Sequence, residues 1–424
     1  MFITSGDAER VSVVMPSLNQ AGYIERAIRS VLTQHDESVE LIVMDGGSTD
    51  GTQSLLGRLA REAEGRLHWV SEADRGPAHA VNKAMAVAQG GVIGWLNADD
   101  AYSPGAVARA VQALQANPQW MMVYGHGQHI DEYDRVIDSY PTRRPDVPIQ
   151  VFADGCFICQ PTVFLRKTAL PELGQLDENL KTAFDFEWWL RLFSCHPGRV
   201  GFVDAVQAHS RLHGASITLG QRETVIRESM QIVTRYLGVC PLHWFKSYVY
   251  EMLIKHPQPP WSDAQKTHLQ EFAHSISACL SADDQRDIGV WLDHELTKAQ
   301  YAQHTTSEER TRLGKLTATI RAIVNVYFWP DRKYTQTRKQ IKLIKSSRLF
   351  DEEWYLSRYR DVARVGADPV EHYLQYGAAE GRNPSRLFNT RLYVESNPEI
   401  TKMGMNPLVH FLTYGKADAD RIEH

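Results

Sequence analysis

From residue 11 the chain alternates short apolar, β-branched runs with amphipathic stretches of helical period, and this alternation restricts the fold more than any other feature. VSVVM (11–15) predicts a buried strand, and AGYIERAIRSVLTQ (21–34) predicts a helix behind it. VELIVMD (39–45), RLHWVSE and GVIGWLN predict three further strands, with TQSLLGRLAREAEG and AHAVNKAMAVAQG as the helices between them. Strands joined by helical crossovers form a mostly parallel, Rossmann-like α/β sheet. Ligands of such sheets bind beyond the carboxyl ends of the strands. That rule gathers Asn19, Asp45, Glu72, Asp74, Asp99 and Asp100 along one edge of a single crevice.

The stretch GWLNADD (94–100) sharpens the question of what that crevice holds. An apolar run ends in Asn97 and two adjacent carboxylates, Asp99 and Asp100, which repel each other at the mouth of a buried strand. Folding alone does not select such a pair. A nucleoside diphosphate is densely anionic and needs a divalent cation to bind and to leave. Hard cations such as Mg²⁺ or Mn²⁺ take one or two carboxylates plus phosphate oxygens and water. Asp99 is the candidate ligand, and Asn97 supplies polarity without further charge. A nicotinamide-linked oxidoreductase is excluded, because PSLNQAG follows the first strand where a G-x-G-x-x-G would stand.

The ordered set VSVVMPSLNQAGYIERAIRSVL, DGGSTDGT, SEADRGPAHAVNKA and GWLNADD resembles the inverting family-2 glycosyltransferases with the GT-A fold, over roughly residues 10–240. The resemblance implies that Pro16, Ser17, Asn19 and Asp45 hold the nucleoside of the donor, with Asp45 on the base. Asp74 lies on the ribose or base side, and Asn82 and Lys83 face the diphosphate or sugar. Asp50 is the exception, a cap on the following helix. Asn97-Ala98-Asp99 occupies the place of the D-x-D motif, with Asp99 as metal ligand. His79 stands where relatives often carry an acid near the donor sugar, which leaves the donor open. In KTAFDFEWWLRLF (181–193), Asp185 is the expected catalytic base, taking the proton of the attacking acceptor hydroxyl, and Glu187 is the alternative. Gln160, with Cys159 and Pro161, falls on the acceptor side. One of Trp188 and Trp189 is expected in the core and the other against an acceptor sugar. His213, in an R-x-H pattern with Arg211, is the expected second metal ligand, and its imidazole favours Mn²⁺ over Mg²⁺.

The implied function is transfer of a sugar from a UDP- or dTDP-sugar to a hydroxyl of a glycan or polyprenol-linked glycan in cell-surface polysaccharide synthesis. A different class, a catalytically inactive carbohydrate-binding or scaffolding protein, is opposed by the joint presence of Asp45, Asp99, Asp185 and His213.

The domain organisation expected is a GT-A domain over 1–238, a helical extension over 239–345 and two α-helical repeats over 346–424. The repeats start at Leu349 and Leu387, and Phe350/Phe388, Tyr355/Tyr393, Pro369/Pro407 and His372/His410 coincide at an offset of 38 residues. Units of this size bury their faces against one another, and a protein partner or self-association is expected there. His372 and His410 are read as packed or surface-bonded rather than as metal ligands. Seven Lys and Arg against Asp331 in residues 331–348, after the apolar 322–329, suit an anionic membrane surface. With a net charge of −5, no field over the whole chain invites nucleic acid. Five scattered cysteines and a first stretch (MFITSGDAER) without signal-peptide character point to a reducing compartment, hence a cytoplasmic protein peripheral to the membrane. The lone C-x-x-C of Cys156 and Cys159 lacks a second pair, and a place in a core or pocket wall is expected for it.

Overall fold

A computed structural model describes residues 10–34, 39–255, 263–301, 340–341, 343–364, 369–378, 380–397 and 406–414. The apolar 322–329 and most of the basic stretch, residues 331–339 and 342, lie outside the described residues. The chain divides into two compact units, Met1–Trp329 and Pro330–His424.

In the first unit the described strands form one nine-stranded sheet: β1 (Val11–Ser17), β2 (Val39–Asp45), β3 (Leu67–Ser71), β4 (Val92–Trp95), β5 (Ala101–Tyr102), β6 (Met122–Ile130), β7 (Val136–Ser139), β8 (Phe164–Arg166) and β9 (Val200–Arg211). Their spatial order is β3-β2-β1-β4-β8-β6-β9-β5, with β7 paired to β6. The first four strands run parallel, as the strand–helix alternation requires. Beyond β4 the sheet is mixed: β8 is antiparallel to both neighbours, and β6 and β9 run parallel to each other. The strand order turns at β1, between β2 and β4. That turning point opens the crevice in which such sheets take ligands.

Side-chain alternation divides the core in two. On β1, Val14 faces one cluster and Val11, Val13 and Met15 the other; on β2, Ile42 and Met44 oppose Val39, Leu41 and Val43. Helices α1 (Ile24–Leu32), α2 (Thr52–Glu62) and α4 (Ala106–Ala116) cover one face through Ile28, Leu56 and Ala110. The other face takes α3 (Pro77–Val87) and α5 (Phe184–Cys195). Helices α6 (Arg222–Leu237), α7 (His243–Lys255), α8 (Asp263–Ile276) and α9 (Ala282–Tyr301) extend that same cluster through Met230, Phe245, Phe272 and Leu292. Among the described residues no helix is long and apolar enough to cross a membrane.

In the second unit two contacts recur in both copies of the repeat. Asp351 caps Glu352–Arg358 by accepting from the Trp354 amide at 2.9 Å, and Asn389 caps Thr390–Ser396 by accepting from Leu392 at 3.1 Å. The Tyr355 hydroxyl meets His372 Nδ1 at 3.0 Å, and Tyr393 meets His410 Nδ1 at 3.0 Å. These histidines are bonded to tyrosine, as their place in an apolar repeat suggests. Phe350, Tyr355, Val370, Tyr373, Phe388 and Leu408 bury the faces of the two repeats in a common core.

Candidate active site

The carboxyl ends of β1 and β2 meet over a loop that glycine and acid build together. Asn19 has φ 54°, in the left-handed region that asparagine tolerates. Its side chain accepts from the Thr49 amide at 2.9 Å, while its own amide donates to Ser48 Oγ at 2.7 Å. Asp45 is buried, and its carboxylate accepts from the amides of Gly47 and Ser48 and from the hydroxyls of Ser48 and Ser71. A Cβ on Gly46 would sit 2.9 Å from Asp74 Oδ2, so the glycine lets that carboxylate lie close against the loop. Asp74 also accepts from the Gly76 amide at 2.8 Å, at the start of α3. Pro16 is partly buried beside this loop, and the buried Ser17 hydroxyl finds no hydrogen-bond partner among the described residues. Asp50 is expected to cap α2, but the N-cap is Gly51; Asp50 lies one residue before it and accepts from the Thr52 amide and hydroxyl, and also from the Ala21 amide.

The residues expected on α3 divide. His79 is partly exposed, with Nδ1 toward the Arg75 amide at 3.3 Å, and Lys83 pairs with Glu72. Asn82 is turned to the protein. Its amide holds both the carbonyl and the amide of Leu176 at 3.0 Å, and it donates to Glu178.

At the end of β4 the acids take different surroundings. Asp99 Oδ2 lies 3.0 Å from His213 Nε2, with both side chains largely buried. Asp100 is buried and accepts from the Arg211 amide at 2.8 Å. Burial first, and the neighbouring Asp99 second, hold its carboxyl well above the ordinary range. Asn97 is fully engaged: it accepts from Trp95 Nε1 and donates to Asp100 and to Gln160 Oε1 at 2.9 Å. Gln160 in turn donates to the Trp95 carbonyl.

Asp185 stands in the first turn of α5, with Oδ1 accepting from the Phe186 amide at 2.7 Å. Burial pushes its carboxyl up to about 6 against the pull of that amide. Cys159 feels both Asp100 and Asp185 and is itself pushed well up by burial, so the thiol lies between the β4 end and the start of α5. Cys156 is raised to about 12, again by burial. Thiols so placed stay protonated, and the C-x-x-C is wall rather than reagent. Glu187 has a different setting. It is 3% exposed, ion-paired to Arg191 and bonded by the Tyr236 hydroxyl at 2.6 Å.

Both tryptophans are core. Trp188 donates to the Gly174 carbonyl and is 1% exposed; Trp189 is fully buried, its ring 6.5 Å from Trp95. The expectation that one of them stacks on an acceptor therefore gives way to burial of both rings.

An imidazole and a carboxylate with 3.0 Å between their facing atoms suit two adjacent ligands of one cation. Among the described residues no third His, Cys, Asp or Glu joins them. A hard ion there would fill its shell with phosphate oxygens and water, as nucleotide-bound ions do. The residues present fit such an ion. Sequence reasoning missed the surroundings of Arg211, whose partners lie in a turn about 80 residues away in the chain.

Residues 12–174 match the profile of the family described as Glycosyl transferase family 2. A putative teichuronic acid biosynthesis glycosyltransferase of Bacillus subtilis, TuaG, is 30% identical over 187 residues, which is 43% of this chain and 71% of TuaG. The Escherichia coli UDP-Glc:alpha-D-GlcNAc-diphosphoundecaprenol beta-1,3-glucosyltransferase WfaP is 23% identical over 254 residues, 58% of this chain and 96% of WfaP. Of several uncharacterized glycosyltransferases from Nostoc and Rickettsia, the chain spans between 34% and 66% of the length. A crystal structure of residues 1–349 of S. aureus TarS in complex with UDP-GlcNAc aligns with a TM-score of 0.48 at 15% identity, covering 69% of this chain and 91% of that one.

Proposed function

The chain belongs to glycosyl transferase family 2, and on that premise we propose that it moves a sugar from a UDP- or dTDP-sugar to a hydroxyl of a glycan or lipid-linked glycan in cell-surface polysaccharide synthesis, with inversion at the anomeric carbon. The names of two relatives support the setting: teichuronic acid biosynthesis for TuaG, and a UDP-glucose donor with a diphosphoundecaprenol-linked acceptor for WfaP. What supports the mechanism is a partly buried carboxyl, Asp185, pushed up to about 6 by burial, whose charge reaches the same buried Cys159 thiol as that of Asp100.

Asp185 is the general base. A carboxylate of that basicity is ionised at neutral pH yet holds a proton more firmly than a free aspartate, which is what removing a hydroxyl proton during attack requires. Oδ1 holds the Phe186 amide, and the carboxyl is left to take the proton of the acceptor hydroxyl. Asp99 and His213 would hold Mn²⁺ or Mg²⁺, which neutralises the charge growing on the leaving diphosphate. The loop that Asn19, Asp45 and Ser48 fix would cradle the nucleoside, with Asp74 beside it. Because Asn97 and Gln160 close a network around the Trp95 carbonyl, they hold the β4 end rigid against the acceptor side. Asn82 acts by anchoring the 176–178 segment that leads to Asp185. Peripheral attachment to the cytoplasmic membrane, where lipid-linked acceptors reside, completes the proposal, with 331–348 as the attachment segment and 346–424 as the site of a partner or self-association.

A thermal-shift panel of UDP, dTDP, GDP and their sugars, each with and without Mn²⁺, tests this. A ligand at about 100 times its dissociation constant adds roughly 2.7 kcal/mol. Stabilisation that needs both metal and a uridine or thymidine nucleotide is expected. No shift with any nucleotide overturns the proposal in favour of a binding module.

A further inference from the structure

A cation beside a diphosphate site invites the assumption that it grips phosphate, and Arg211 ends β9 two residues before His213. Its guanidinium, however, is fully surrounded. The residue is 4% exposed. Nε donates to the Asp99 carbonyl at 2.8 Å, Nη1 to the Asp131 carbonyl at 2.6 Å, and Nη2 to Asp134 Oδ1 at 2.6 Å. One face of the plane lies 5.0 Å from the Tyr23 ring, and that ring stands 4.7 Å from the His213 imidazole. The backbone amide of the same residue donates to Asp100. Arg211 therefore touches the main chain of one expected metal ligand, the side chain of the acid next to it, and the ring that packs on the other ligand.

We propose that Arg211 is a positioning residue that sets the Asp99–His213 pair, and that the β6–β7 turn is the lever through which its position is held. The turn is built for the task. Asp131 closes it, accepting from the Tyr133 and Arg135 amides at 2.9 Å each. Asp134 sits at φ 65° and bridges Arg211 to Arg26 of α1. A planar five-donor fork matches this set of carbonyl and carboxylate acceptors, which an ammonium on a flexible stem does not. Outer contacts of this kind tune affinity at a metal centre by about tenfold to a hundredfold. Tyr133 and Arg135 at the tip are largely solvent-exposed, so the lever ends at the surface.

The inference rests on the proposed metal role of Asp99 and His213, and its test separates the two. Mn²⁺ binding by the full chain is titrated from the EPR signal of free Mn²⁺ in the presence of UDP, and UDP binding without metal is measured by calorimetry. The variants are Arg211→Lys, Arg211→Ala, Asp134→Ala and Arg26→Ala. All four are expected to bind UDP alone as the parent does. Mn²⁺ affinity is expected to fall about tenfold or more for both Arg211 variants and severalfold for Asp134→Ala, less for Arg26→Ala. Loss of metal-free UDP binding in Arg211→Lys, with Asp134→Ala unchanged in Mn²⁺ affinity, makes Arg211 a phosphate ligand and overturns the proposal. Should Arg211→Ala fail to fold, Asp134→Ala and Arg211→Lys still decide. A parent chain that binds UDP but no Mn²⁺ or Mg²⁺ overturns the metal assignment and this inference with it, leaving the family membership untouched.

Discussion

Asp50 and Asp185 are the same residue at the same kind of place: each is a carboxylate at the beginning of a helix on the carboxyl edge of one sheet. Helix dipoles favour an anion at both. Their surroundings nonetheless drive them apart. Asp50 is exposed and receives the Ala21 amide and the Thr52 amide and hydroxyl; despite some desolvation, these donors hold it below the ordinary carboxylate range. Asp185 is partly buried with the Phe186 amide and its own for company, and desolvation pushes it up to about 6. The lesson is that an acid which stabilises the fold is recognised by satisfied oxygens, and an acid available for chemistry by unsatisfied ones. Asp45, with four donors on its carboxylate, belongs with Asp50 in this respect.

The largest effect should come from Asp185. Asp185→Asn keeps the shape and removes the base, so kcat/KM for sugar transfer should drop at least a hundredfold while metal-dependent nucleotide binding persists. In the parent, log kcat/KM should fall as pH drops below about 6. The stability consequence has the opposite sign to the usual one. A carboxyl whose folded value lies above its unfolded one binds more protons in the folded state between about pH 4 and 6, so stability declines as pH rises through that window. Ionised Asp185 costs up to about 3 kcal/mol at neutral pH, from a rise of about two pH units. Asp185→Asn should therefore melt higher than the parent at pH 7.5, with the gain disappearing near pH 4. A variant that loses neither turnover nor the pH 6 limb breaks the comparison at its active end.

Next in size is Glu187, two residues further along α5. It is buried against Arg191 and Tyr236, so Glu187→Gln removes the charge partner of Arg191, which keeps its bonds to the Leu173 and Gln175 carbonyls, and should cost about 1–2 kcal/mol in urea unfolding. Turnover per folded molecule should stay within a few fold. Should the protein keep its stability and lose turnover, Glu187 is the base and the assignment of the helix must be reversed.

The sequence made the first half of this comparison easy and the second half hard, for physical reasons. Strands β1, β2 and β4 announce themselves as buried apolar runs, and β1 to β3 are each followed by a helix, so Asp45, Asp74 and Asp99 fall at or just beyond the strand ends by position alone. Strands β5, β7 and β8 are short, and β8 inserts between β4 and β6 from far along the chain, so no local period betrays it. Asp99 meets His213 across 114 residues of sequence; only the resemblance to a family joined them in advance. Helix α5 is apolar on nearly every side, so periodicity said nothing about which tryptophan faced out, and neither does. Asn82 looked available because its amide is polar, whereas the backbone of Leu176 and the Glu178 carboxylate occupy it. Side chains engaged by distant main chain are invisible to any pattern of residue types.

Asp50→Ala is the smallest effect and tests the stabilising end alone. Removing the acceptor that ties the Thr52 end of α2 to Ala21 should cost about 1 kcal/mol at neutral pH. A carboxyl held below its unfolded value contributes while ionised and loses its contribution as pH falls through its folded value, so the difference between Asp50→Ala and the parent should shrink below about pH 4. Turnover should be unchanged, since none of its oxygens is free to meet a substrate. The two aspartates then give stability differences of opposite sign at pH 7.5 that both close on acidification, Asp50→Ala from below the parent and Asp185→Asn from above. If Asp50→Ala instead lowers turnover without lowering stability, satisfied hydrogen bonding is no guide to which acids of this edge do chemistry.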